Sequence, residues 1–238
     1  MILLNKKRIL FIITIIICSI LSFSTQNHQD CNLVVTSSTP VSNHTVILDA
    51  GHGNPDGGAT NNNGDIVESN LNLDIVLKLQ NLLESANCNV ILTRSDQNGI
   101  YEADATTIRD KKISDMKNRA NIANESKADI FVSIHMNKLA ESKYTGWQTF
   151  YKNQDDASRK IASKVQKSLN NFMEKENSRE IKSISGIYLT KHINIPLIIV
   201  ECGFLSNPQE AILLNSDNYQ NELAWSIYIG IMDYFKEN

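Results

Sequence analysis

The sequence lacks any pair of cysteines at the spacing of a metal-binding knuckle. Its four cysteines, Cys18, Cys31, Cys88 and Cys202, are scattered along the chain. Three would remain after loss of a leader, an odd number that argues against a disulfide framework. Cys88 and Cys202 lie in or beside apolar runs and read as small buried hydrophobes. An excess of one charge is missing too: the formal net charge is -3. There is no basic surplus to hold nucleic acid and no acidic run to form a solvated tail. No internal repeat and no second compact region are visible, so a separate targeting module is not expected. Apolar residues make up 42% of the chain, enough to give one α/β domain an ordinary core.

A long spanning run is also absent. Asn5, Lys6, Lys7 and Arg8 lead into an apolar segment from Ile9 to Phe23, ILFIITIIICSILSF. That segment is shorter than the roughly 18 residues of a spanning helix. Ser22 near its end and Ser24 and Thr25 after it are small, so residues 1–25 have the layout of an export signal, cleaved or kept as a signal-anchor. Ile17 stands before Cys18 where a lipid attachment site wants a small residue. Residues 26–43, polar and without periodicity, read as a flexible linker. The domain is expected over 44–238.

Within it, strands and helices alternate. His44–Asp49, Asn89–Thr93, Asp129–Ile134, Gly146–Tyr151, Gly186–Leu189 and Pro196–Val200 read as strands. Glu68–Ser85 carries Leu71, Ile75, Leu79, Leu82 and Ala86 at helical spacing. Thr106–Glu125 places Ile113, Met116, Ala120 and Ala123 on one face. Asp156–Met173 runs through Ile161, Val165, Leu169 and Phe172. Tyr219–Phe235 is a helix apolar around much of its circumference. Asn207 and Pro208 look like an N-cap and a first-turn proline. The expected fold is a three-layer α/β sandwich with a twisted, mostly parallel six-stranded sheet and helices on both faces.

The chemistry-bearing residues fall at strand ends. His52 follows the first strand, in DAGHGNPDGG. Glu68 opens the first helix. His135 follows the third strand, and Glu201 follows the last. A parallel sheet opens the carboxyl ends of its strands on one edge, where ligands bind. Two histidines and a carboxylate form a common ligand set for catalytic zinc, with the fourth position left to water whose pKa the metal lowers to about 7. His52, Glu68 and His135 suit those roles for one zinc ion, and Glu201 suits general acid–base work. Gly51, Gly53, Gly57 and Gly58 let the loop turn sharply and fold close to a ligand. Zinc chemistry of this kind fits any peptidase, so residue types alone leave the substrate open.

The motifs VILDAGHGNPDGGA, Glu68 ahead of NLNLDIVLKL, VILTRSD, MKNRANI, FVSIHMN and IIVECGFLSNPQE occur in this order. Together they resemble the zinc-dependent N-acetylmuramoyl-L-alanine amidases across the whole domain. The resemblance implies zinc ligands at His52, Glu68 and His135 and the catalytic glutamate at Glu201. It implies hydrolysis of the amide between N-acetylmuramic acid and L-alanine in peptidoglycan, outside the cytoplasmic membrane. The cysteine in VECGF and the single-domain layout look most like the amidases that act on spore cortex. A wall carboxypeptidase or endopeptidase, or an inactive wall-binding protein, is the alternative. Membrane attachment through the N-terminal segment and a regulatory partner protein are further expectations, the latter because nothing in the chain supplies targeting.

Lesser expectations concern neighbouring residues. Asp49 is placed to orient His52 as an acceptor. Arg94 and Arg119 are assigned to salt bridges or a helix face, and Asn137 to holding its loop. His192 is expected on a surface loop. Trp147 and Trp225 are expected in the core.

Overall fold

The computed structural model describes residues 39–237. The export signal expected over 1–25, and the linker up to residue 38, lie outside the described residues. Six strands form one sheet: β1 (Thr45–Ala50), β2 (Asn89–Leu92), β3 (Ile130–Asn137), β4 (Gln148–Lys152), β5 (Lys182–Ile184) and β6 (Leu197–Phe204). Their order is β2-β1-β3-β6-β4-β5. β1 pairs in parallel with β2 and β3, and β3 with β6. β4 runs antiparallel to β6 and carries β5 parallel to itself. The helices are α1 (Glu68–Ser85), α2 (Ile108–Glu125), α3 (Asp156–Phe172), α4 (Tyr188–His192), α5 (Pro208–Leu214) and α6 (Asp217–Lys236).

Strand periodicity of two decides which core each residue joins. Val46 and Leu48 point to one face with Leu71 and Leu79 of α1, Val165 of α3 and Ile227 of α6. Ile47 points to the other, with Phe131, Ala120 and Ala123 of α2 and Leu189 of α4. The sheet therefore sits between two helical layers. Helix starts follow local chemistry: Thr107, Asp155 and Asn207 each accept from the backbone N–H three residues on, and Pro208 occupies the first turn of α5.

Several expectations change. Residues 39–43 belong to the domain rather than to a free linker: Val41 is fully buried in the larger core, and the Thr39 hydroxyl bonds to the Ala86 carbonyl. The short strand is Lys182–Ile184, and Gly186–Leu189 instead leads into α4. Gly186, at φ +93, turns the chain between the two in a conformation glycine adopts without cost. On α2, Ile113 faces solvent, while Asp115 and Arg119 are buried with Ala120 and Ala123. Met116, Ala120 and Ala123 pack into the smaller core as expected, and only Ile113 departs, because the buried ion pair of Asp115 and Arg119 turns the helix face toward the sheet. Phe172 and Trp225 are exposed, the latter with its ring tilted against Tyr228. Trp147 is buried, and its Nε1–H donates to Asn170.

α3 and α6 approach closely at Gly230. A Cβ there would lie 2.5 Å from the Val165 Cα and 2.9 Å from its nitrogen, both backbone atoms. Gly230→Ala must push the helices apart, so despite alanine's better helix propensity it is expected to destabilise the fold by about 1–3 kcal/mol in urea unfolding. An unchanged midpoint would show that the helices slide freely.

Candidate active site

β1 ends at Ala50, and Gly51 carries the chain over the rim to His52. A Cβ on Gly51 would fall 2.3 Å from His135 Nε2, so the His135 ring occupies space that only glycine leaves free. His52 itself takes a left-handed φ of 63°, a costly conformation for a non-glycine residue. Tertiary contacts hold it there. Arg119 donates to the His52 and Ala50 carbonyls at 2.6 and 2.9 Å, and Arg94 donates to the Gly51 and Ala50 carbonyls.

Glu68 is the first residue of α1, yet its carboxylate turns into the fold and is buried. Its Oε2 accepts from the Ala59 N–H at 2.7 Å and its Oε1 from the Met136 N–H at 3.1 Å. Oε1 also lies 3.2 Å from His52 Nε2 and 2.9 Å from His135 Nδ1. Gly58, at φ +71, makes room: a Cβ there would sit 2.5 Å from Glu68 Oε2. One donor atom each from His52, Glu68 and His135 lies within 4.8 Å of the others, a group able to hold a metal ion. Two imidazoles and a carboxylate are a donor set that zinc accepts.

His135 and Glu201 were expected beyond their strands. Both lie inside them, because the β3–β6 ladder continues to the rim, and they are register partners. This places Glu201 beside the cluster. One of its oxygens, Oε2, is buried without a hydrogen-bond partner. Burial pushes the Glu201 carboxyl above the usual range; His135 and His52 pull it back, and Glu68 adds to the rise. Burial would lower the His52 pKa, but hydrogen bonds to Asp56 and Glu68 lift it to about 9. Burial likewise opposes ionisation of Glu68, and the two histidines override it and hold the carboxyl well below its ordinary value.

Asp49 does not orient His52. Its carboxylate accepts from Arg119, from Thr93 at 2.7 Å and from Ser133 at 2.5 Å, below the rim. Asp56 stands at His52 instead, with Oδ2 3.0 Å from Nδ1. The four-residue step from His52 to Asp56 inside a glycine-rich loop was the signal available for it. Arg119 forms the expected salt bridges, to Asp49 and Asp115. Arg94 spends its donors on backbone carbonyls, including Ser69 at 2.7 Å. His192 lies on α4 rather than in a loop, exposed and stacked on Tyr188. The Asn137 backbone carbonyl accepts from Leu205 N–H. Cys88 and Cys202 are buried free thiols, as expected.

Residues 46–233 match the family profile of the N-acetylmuramoyl-L-alanine amidases. The chain belongs to that family. The germination-specific N-acetylmuramoyl-L-alanine amidase of Bacillus subtilis is 36% identical over 84% of this chain and 83% of its own. The CwlD amidase from Clostridioides difficile, solved in complex with the GerS lipoprotein, superposes with a TM-score of 0.80. It is 45% identical and covers 82% of this amidase and 100% of that chain. The catalytic domain of the amidase CwlV from Bacillus (Paenibacillus) polymyxa has a TM-score of 0.69 at 30% identity, over 82% of this chain and 99% of that one. The enzyme is thus a peptidoglycan amidase of the α/β type expected from its motifs.

Proposed function

We propose that this amidase is a zinc enzyme of the spore cortex, with His52, Glu68 and His135 as metal ligands and Glu201 as general acid–base. The observation that carries the reading is the placement of an unpartnered, buried Glu201 oxygen beside a three-residue metal-ligand group. A bound zinc supplies Lewis acidity to the scissile carbonyl and to the attacking water. Asp56 holds the His52 ring by its Nδ1, which leaves Nε2 facing the cluster. Glu201 takes a proton from the water and delivers it to the departing amine of L-alanine, so that the amine leaves neutral. Phe150, Ile187 and Ile199 give the pocket apolar walls, beside which electrostatic interactions at the site are strengthened.

The cortex assignment rests on similarity to the germination-specific relative. Export through residues 1–25 goes with a substrate outside the cytoplasmic membrane, and residues 26–38 would link that signal to the domain. Among the described residues no helix is long and apolar enough to cross a membrane. A regulatory partner protein is proposed by likeness to the CwlD–GerS complex.

Chelation is expected to abolish muropeptide cleavage, and added zinc to restore it. Elemental analysis of His52→Ala and His135→Ala should find the metal lost. Products should carry a free L-alanine amine and an unsubstituted lactyl carboxyl. Cleavage between stem residues would replace the amidase reading with a peptidase one. A His135→Ala enzyme that kept one zinc and full activity would remove the ligand assignment.

A further inference from the structure

The pocket beside the cluster has a volume of about 280 Å³ and two unlike sides. On the side of β4, β5 and α4, Phe150, Ile184, Ile187 and Leu189 form an apolar wall. The rest of the lining is polar: Asp49 on β1, Asp56 in the loop beyond it, Asp115 on α2 and Glu201 on β6 stand beside His52 and His135. Two cations stand among them. Arg119 is sealed, with its side chain 1% exposed and its donors on Asp49, Asp115 and the carbonyls of Ala50 and His52. Lys112 is open, with its side chain 56% exposed and its Nζ 3.0 Å from Asp56 Oδ2. An ammonium has three donors, so this ion pair leaves others for a ligand.

The substrate is just as asymmetric. On the glycan side of the scissile amide stand neutral hydroxyl and acetamido groups. On the peptide side, carboxylates follow L-alanine. Asp49 and Asp115 spend their charge on Arg119, so away from the metal-ligand group Lys112 is the exposed cation of the lining with donors left for such a carboxylate. We propose that Lys112 receives the carboxylate of the stem residue after L-alanine. It thereby lays the peptide half of the substrate along α2 and leaves the apolar wall to the lactyl–glycan half. The reach is suitable. Lys112 stands one carboxylate away from His52, since Asp56 Oδ2 lies 3.0 Å from both the Lys112 ammonium and His52 Nδ1. An extended peptide advances roughly 3.3–3.6 Å per residue. The two 3.0 Å steps separate the ammonium from His52 Nδ1 by 6.0 Å at most, a span that L-alanine and the residue after it cover in roughly two such advances. This assignment rests on the amidase reading of the site and goes beyond it by naming a specificity determinant.

The test uses two muramoyl-L-alanyl dipeptides that differ only in the second residue: one bears a free α-carboxylate, the other its carboxamide. The full-length zinc-loaded enzyme should prefer the carboxylate by roughly tenfold in kcat/KM, the scale of a charge-assisted hydrogen bond. Most of that preference should appear in KM. Lys112→Gln should bring the ratio close to one, whatever happens to the absolute rates, and Lys112→Arg should retain it. The ratio is decisive because Lys112 also touches Asp56. A purely structural loss through Asp56 and His52 would slow both substrates alike and leave the ratio standing, and that result would overturn the proposal. A wild-type enzyme indifferent to the two substrates would overturn it as well. The amidase reading fails separately: cleavage of neither substrate at the L-alanine amide would reject both, whereas equal cleavage of both removes only the role of Lys112.

Discussion

Glu201→Gln is expected to lower turnover by about 10²–10⁴-fold, the usual contribution of a positioned general acid–base. Glutamine keeps the shape and the hydrogen-bonding reach of the side chain but cannot carry a proton between water and amine. The Glu201 carboxyl is suited to that traffic for a structural reason. It lies on the rim of β6, opposite His135 in the ladder, with Oε2 buried and unpartnered. Burial raises its pKa, so it holds a proton more readily than an exposed glutamate. Zinc content and the unfolding midpoint of the variant should match those of wild type, because Glu201 lies outside the three-residue group His52, Glu68 and His135. Turnover within a few-fold of wild type would exclude Glu201 from the reaction. Loss of zinc in the variant would make it a ligand instead.

Arg119→Met is expected to cost about 3–5 kcal/mol of stability, the range for breaking a buried ion pair from one side. Arg119 is almost fully buried and bridges three parts of the chain: Asp49 at the end of β1, Asp115 on its own helix, and the His52 carbonyl above the rim. Methionine fills most of the volume but leaves Asp49 with only the hydroxyls of Thr93 and Ser133 as partners. It also frees the strained His52 backbone, so zinc affinity should fall together with the unfolding midpoint. The same network predicts a pH dependence. Burial alone would raise the Asp49 pKa, but Arg119, Ser133 and Thr93 hold it below the ordinary value of 3.8. A depressed carboxylate stabilises the fold fully above its unfolded pKa, and this contribution is lost as pH falls through the lower folded value. Denaturant midpoints measured downward from pH 7 should therefore hold this contribution until about pH 4 and lose it below, and the Arg119→Met slope should be shallower. Equal stabilities of the two proteins at pH 7 would show that the network contributes nothing.

Element types and their order were legible in the sequence because they depend on short-range periodicity. VILD and IIV repeat as buried strands must, and Leu71, Ile75 and Leu79 recur as one face of a helix must. The gathering of His52, Glu68, His135 and Glu201 was legible for a related reason. Parallel strands all end on one edge, so residues far apart in sequence but each at a strand end or helix start are bound to meet. Partner choice among the polar residues was not legible. Asp49, three residues from His52 in sequence, faces Arg119, whereas Asp56 reaches the His52 ring by way of a loop that folds back over it. The burial of Arg119 and Asp115 on α2 in place of Ile113, and the exposure of Trp225, depend on which helix face meets the sheet. Hydropathy placed Met116, Ala120 and Ala123 correctly but could not show that an ion pair would bury Asp115 and Arg119 beside them and leave Ile113 outside. Val41 shows the same limit at the domain edge, since a lone apolar residue in a polar stretch carries no period, and only the packed core reveals that it has a place there. Local pattern determined the elements and the rim on which chemistry sits; three-dimensional packing decided which charges pair and which histidine nitrogen faces the cluster, because hydrogen bonds and ion pairs are set by distances across the fold.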